Sequence, residues 1–79
     1  MPVVVRLRLC VILMFFRDHN PPHFHVRTTE GEAQMKIDDL TLMEGRVDRR
    51  AAAEARAWAR GNRVLLERRW RELSGGPEA

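Results

Sequence analysis

The sequence predicts an α+β domain: a small antiparallel sheet of three to four strands, followed by one long or two shorter C-terminal helices packed on it. Two observations predict it. Up to about residue 45 the apolar residues alternate or run together, and from about Asp48 they recur at the helical repeat. The chain has 79 residues, enough for one domain and no more. Chains of that size bury only about 60% of their unfolded surface, so a second copy (a homodimer) or a partner protein would add useful burial.

Residues 3–9 open with Val3-Val4-Val5 and continue as alternating Arg6-Leu7-Arg8-Leu9, a strand pattern. The run from Leu9 to Phe16 is apolar at eight consecutive positions, which predicts a strand covered on both faces. Arg6 and Arg8 before it resemble the start of a secretion signal, but Arg17-Asp18-His19 follows where a small-residue cleavage site belongs. The run also falls far below the ~20 residues of a membrane span. The expectation is a cytoplasmic protein that does not engage a membrane.

Asn20-Pro21-Pro22 stops this strand, because proline cannot donate to a ladder. Residues 23–29 then alternate: Phe24 and Val26 point one way, His23, His25 and Arg27 the other. Glu30-Gly31-Glu32 is a turn signal, and residues 33–38 return with Met35 and Ile37 apolar. The hairpin core face is therefore Phe24, Val26, Met35 and Ile37. A short strand at residues 40–43 follows, ended by Gly45. Asp48 suits the N-cap or first turn of a helix. Ala51, Ala55, Trp58, Ala59, Leu66, Trp70 and Leu73 share one face of it, and Arg49, Arg56, Arg60 and Arg63 the opposite one. Gly61-Asn62 costs roughly 1 kcal/mol in a helix interior and bends or splits it. Ser74 to Pro77 ends it, so residues 1–74 form the domain and 75–79 a flexible tail.

Hydrophobic residues at 44% and charged ones at 32% are a globular balance. Cys10 is the only cysteine, which excludes a disulfide scaffold and zinc fingers built on paired cysteines. Set in an apolar run, it reads as a buried, inert residue. Residues 1–45 carry five basic and six acidic groups, whereas residues 46–79 carry nine arginines and five acids. That second half favours anionic partners, RNA or DNA among them, through Arg49, Arg56 and Arg60, with Arg27 from the hairpin. A plain solvated face is the competing account, since Arg50–Glu54, Arg63–Glu67 and Arg68–Glu72 are each spaced four apart for pairing.

The remaining chemistry is concentrated in Asp18-His19-Asn20-Pro21-Pro22-His23-Phe24-His25, which holds all three histidines. His23 and His25 are at i and i+2 of a strand, so both imidazoles leave the same face. They can supply two ligands to a divalent transition metal such as zinc, with Asp18 or His19 as a third. The same pair, with His19, can act as general acid and base. Alternatively, the prolines set a turn and the histidines hydrogen-bond to backbone around it. Trp58 and Trp70, on the apolar helix face, read as core or oligomer packing.

The Arg17-Asp18-His19-Asn20-Pro21-Pro22-His23-Phe24-His25-Val26 string, with Met1-Pro2-Val3-Val4, Met14-Phe15, Glu44-Gly45, Trp58-Ala59 and Trp70, resembles a small bacterial family catalogued as domain of unknown function 4160. The resemblance spans nearly the whole chain. It implies a short α+β domain of free-standing proteins, commonly encoded beside a second small protein in an arrangement similar to toxin–antitoxin pairs. It brings no established activity. Three positions depart from the family pattern: Cys10 stands where glycine is usual, Asp48 near a usual proline, and Gly61-Asn62 interrupts a helix that usually has a histidine near Asn62.

Two functions follow from different classes. One is a toxin–antitoxin-like component acting through protein–protein contact, with nucleic acid as a further partner. The other is a small RNase-like or metal-dependent hydrolase using His19, His23 and His25. Histidines converging in an open cleft favour the second, and histidines hidden against backbone carbonyls oppose it.

Overall fold

Five short runs pair in chain order: β1 (Val3–Arg6), β2 (Val11–Leu13), β3 (His23–Arg27), β4 (Glu32–Lys36) and β5 (Leu42–Gly45). Each is antiparallel to the one before it, so the sheet is a meander of order β1-β2-β3-β4-β5. Two helices follow, α1 (Arg49–Arg60) and α2 (Arg63–Leu73). The computed structural model describes residues 2–74, so the tail expected at 75–79 lies outside the described residues. The α+β class holds, with five strands in place of the three to four expected.

The additional strand comes from a turn that the sequence does not announce. Leu7-Arg8-Leu9-Cys10 contains no glycine, proline, asparagine or aspartate, yet the chain reverses there. The Leu7 N–H donates to the Cys10 carbonyl at 2.8 Å. The Arg8 and Leu9 N–H groups donate to the Glu54 carboxylate of α1 at 3.1 and 2.7 Å. A side chain more than forty positions away thus supplies the acceptors that a local turn residue would. Glu54 is thereby engaged away from Arg50, and among the described residues none of the three expected helix ion pairs forms.

The alternation in β3 and β4 builds the core. Phe24 pairs with Met35 and Val26 with Ala33, and all four side chains are buried. Ile12 joins them opposite Val26. Ala51, Ala55 and Ala59 of α1 and Leu66 and Trp70 of α2 pack against this face. Alanine at three buried helix positions lets α1 lie close to the sheet. Of the apolar run expected to form a strand covered on both faces, only the middle does so: Ile12, Leu13 and Met14 are buried in succession, β2 itself is Val11–Leu13, and Leu9 and Phe16 at the ends are exposed. Gly45 has φ +80°, and a Cβ there would collide with the Glu32 carbonyl, so glycine is needed where β5 leaves the sheet.

Asp48 caps α1, accepting from the Arg50 N–H at 3.1 Å. The helix is split at Gly61-Asn62. Asn62 Nδ2 donates to the Trp58 carbonyl at 2.8 Å, satisfying the end of α1 before α2 begins. Among the described residues, no helix is long and apolar enough to cross a membrane.

Cys10 is buried beside the same glutamate, with Sγ 3.5 Å from Glu54 Oε1. Burial, then the hydrogen bond to Glu54 and its negative charge, push the thiol pKa up to about 11. Glu54→Ala is expected to lower stability by about 0.5–1.5 kcal/mol, because two exposed backbone donors exchange the carboxylate for water. The urea midpoint measures this. The same variant should speed Cys10 labelling by a thiol reagent at pH 8, which in the parent chain is slow until denaturant is added. An unchanged midpoint would show that the turn stands without Glu54.

Candidate metal centre

The face of the sheet opposite the helices carries the polar side chains. His25 stands across from Leu13 on β2 and Gln34 on β4, and Arg27 across from Val11 and Glu32. The connection from β2 to β3 folds back onto this face. The Phe15 ring meets the His25 ring edge-on at 4.6 Å. Arg17 takes a left-handed φ of 57°, and its N–H donates to the Leu73 carbonyl at the end of α2, at 2.9 Å. This strained residue turns the chain so that Asp18 points inward.

Asp18 Oδ2 then lies 3.0 Å from His23 Nε2 and 2.9 Å from His25 Nε2. The other nitrogen of each ring is also engaged. His23 Nδ1 is 2.8 Å from the Pro21 carbonyl, and His25 Nδ1 is 2.7 Å from Glu32 Oε2. Glu32 uses its second oxygen to accept from Arg27 Nε at 2.9 Å. His23 is fully buried, His25 is 8% exposed, and Trp70 lies beside His23 with ring centroids 5.2 Å apart.

The hydrogen-bond inventory is restrictive. A carbonyl only accepts, so His23 Nδ1 must donate to Pro21. His25 Nδ1 donates to the Glu32 carboxylate by the same logic. Neutral rings in these tautomers would direct two Nε2 lone pairs at one carboxylate oxygen. A proton on each Nε2, or one cation shared by all three atoms, removes that conflict. The ligand atoms of Asp18, His23 and His25 lie within 4.8 Å of one another. Ligands on a tetrahedral zinc with bonds of 2.0–2.1 Å stand about 3.3 Å apart. The two Asp18–histidine contacts need to open by about 0.3–0.4 Å to match that spacing, and the two Nε2 atoms, within 4.8 Å of each other, need to close by up to about 1.5 Å.

The expected candidates are distributed unevenly around this point. His19 is adjacent but exposed. Its N–H donates to Asp18 Oδ1 at 2.9 Å, while its Nε2 lies 3.7 Å from that oxygen. Arg27 is paired with Glu32. Arg56 Nε donates to the Leu40 carbonyl at 2.9 Å, where Leu40 has φ 61°. Arg49 and Arg60 sit at opposite ends of α1, roughly 16 Å apart at 1.5 Å per residue. The four arginines therefore do not gather at one point. Glu32, Phe15, Arg17 and Trp70 enter the site without having been singled out for it. The signal for Glu32 was present in the hairpin, since the turn at Gly31 places it across from Arg27 and diagonal to His25.

A family model described as Domain of unknown function (DUF4160) matches residues 10–71. The chain belongs to this family. The match takes in both histidines, Asp18 and Glu32, and leaves out β1. No curated protein and no solved structure matches the chain.

Burial raises the pKa of Asp18, but the hydrogen bonds from His25 and from the His19 backbone, with the charges of His23 and His25, lower it more. Glu32 also ends below the ordinary carboxylate range: burial raises it, and bonds from Arg27 and His25 outweigh burial. Depressed folded values add stability that is present above the unfolded pKa and lost as pH falls through the folded one. In chelator-treated protein, the urea midpoint is expected to hold between pH 7 and about pH 5 and to fall below about pH 4. Asp18→Asn should make that fall shallower. An identical acid slope in the variant would remove Asp18 from the linkage.

Proposed function

We propose that this family member is a metal-binding domain that holds one divalent transition metal, zinc in the first instance, between the Asp18 carboxylate and the Nε2 atoms of His23 and His25. One observation carries this. Both Nδ1 atoms are tied to acceptors, Pro21 and Glu32, while both Nε2 atoms converge on one Asp18 oxygen. Metal-ligating histidines characteristically give their second nitrogen to a carbonyl or carboxylate, which fixes the tautomer and orients the ring. Imidazole and carboxylate donors suit zinc, nickel and related ions.

Three protein ligands leave a coordination position for water or substrate, as in hydrolytic zinc sites. Of the two hydrolytic readings this favours the metal-assisted one. His23, fully buried against the Pro21 carbonyl, is nevertheless the hidden arrangement that opposes catalysis, so we propose metal binding alone. His23 is buried and bonded on both nitrogens, so it lacks the access a proton shuttle needs. A second reading has its own support. Phe16 is 64% exposed beside Arg17, and Leu42 and Leu9 are exposed too. They lie apart, Leu9 in the β1–β2 turn and Leu42 on the far edge strand β5, so Phe16 alone is offered as a contact for a small partner protein, as in a toxin–antitoxin-like pair, or for a second copy.

Metal content of purified, tag-free protein and zinc titration after chelation test the proposal. The expected result is one equivalent per chain, lost in His23→Ala/His25→Ala. Glu32→Gln should weaken affinity about 10- to 100-fold with the fold intact by circular dichroism. If the parent chain takes up no metal and the double variant is merely less stable, the cluster is scaffold.

A further inference from the structure

We propose that the depression beside Asp18 receives the phosphate group of a small phosphate monoester, one oxygen completing the metal's coordination and Arg17 serving as its counter-ion. The inference rests on the metal reading and assigns the ligand class of that same site.

The depression has a volume of about 460 Å³ and is lined by Arg17, Asp18, Asn20, Trp70 and Ser74. That size suits a small organic ligand. Asp18 belongs to both the depression and the ligand set, so it is the wall between them. His23 lies fully buried behind it, and Asp18 is the most solvent-exposed of the three ligands, its side chain 15% exposed against 0% and 10% for His23 and His25. Asp18 is thus the one ligand that borders the depression, and we take the position left by three protein ligands to open along it.

Charge selects the ligand. A divalent ion with Asp18 leaves a formal charge of +1, because neutral histidines add nothing and Glu32 is offset by Arg27. Arg17 adds another positive charge. Its guanidinium lies 5.2 Å from the centre of the Phe16 ring, and among the described residues no carboxylate comes within ion-pair distance of it. The sum of +2 matches a phosphate monoester, which carries about −1.5 to −2 at pH 7. A carboxylate would leave half of it unmet. Guanidinium also matches phosphate in a bidentate fork.

The end of α2 carries partial negative charge and would oppose an anion. Two of its carbonyls are already engaged: Trp70 accepts from the Ser74 hydroxyl at 2.7 Å, and Leu73 accepts from the Arg17 N–H at 2.9 Å. The Asn20 side-chain amide has no partner among the described residues and remains available as a donor. Trp70 gives the depression an apolar wall for the organic part of the ester.

The test uses the full chain loaded with one equivalent of Co²⁺, whose paramagnetism broadens the phosphorus resonance of any phosphate held in its coordination sphere. Inorganic phosphate and phenyl phosphate are the probes. Both resonances are expected to broaden, phenyl phosphate at the lower concentration, and both to sharpen when the metal is chelated. Arg17→Gln, which keeps the side-chain stem, should bind Co²⁺ as the parent does but weaken phosphate by about tenfold or more. Bound Co²⁺ without broadening overturns this proposal and leaves the metal reading standing, as does phosphate binding unchanged by Arg17→Gln. Phenyl phosphate binding no tighter than inorganic phosphate overturns the ester assignment. Failure to take up Co²⁺ or Zn²⁺ overturns both.

Discussion

The sharing of one Asp18 oxygen by two histidines is the contact on which the arrangement of this chain depends. It ties together three parts of the chain on the side of the sheet away from the main core. The histidines belong to the central strand, Asp18 to the connection that precedes it, and the turn presenting Asp18 is fastened to the end of α2 through Arg17 and Leu73. Trp70 against His23 closes the same circuit from the helix side. One face of the sheet is secured by apolar burial under α1 and α2. The other is secured by a polar network, covered among the described residues by the loop that crosses it and by Trp70 at the end where α2 meets His23.

That division has an energetic consequence. A core of this size has little surplus, and a buried charged network is stabilising only when every member is satisfied. Each nitrogen of His23 and His25 has an acceptor, and both oxygens of Glu32 and of Asp18 have donors. Removing Asp18 leaves two largely buried rings unmatched, a loss of the kind that costs about 3–5 kcal/mol in buried ion pairs. Glu32, 36% exposed, contributes less because water screens it. Arg17 with its positive φ and the buried His23 are unfavourable taken singly. They persist because the surrounding network holds them in place.

Much of this was legible in the chain itself, for a plain reason. Period-two alternation separates Phe24 and Val26 from His23, His25 and Arg27, and period alone fixes which face each takes. The spacing of Asp18, His23 and His25 was sufficient to group them. Gly61-Asn62 marked where the helix divides. Long-range features were not legible. The β1–β2 turn is made by Glu54, and no local residue in Leu7-Arg8-Leu9-Cys10 signals it. Glu54 looked like a helix-surface partner for Arg50, because four-residue spacing is a local rule and its actual partners lie in another element. Trp70 looked like ordinary core, and only the docking of α2 puts it beside His23. Arg17 was one charge among many until its backbone conformation gave it a place.

Whether protons or a metal occupy the convergence point also decides what the cluster does for the fold. With a proton on each Nε2, Asp18 holds two imidazolium rings, and the cluster is a latch that acid itself weakens by neutralising the carboxylate. With one metal, the rings are neutral ligands and two protons are released. The same three side chains serve both states, but the two Nε2 atoms, now within 4.8 Å of each other, draw together and Asp18 moves off the point between them when a metal enters. A metal held by the assembled cluster and not by the unfolded chain would turn its affinity into folding stability in the same step. The polar face would then be held by coordination bonds, and a small domain with a marginal core would gain most from that exchange.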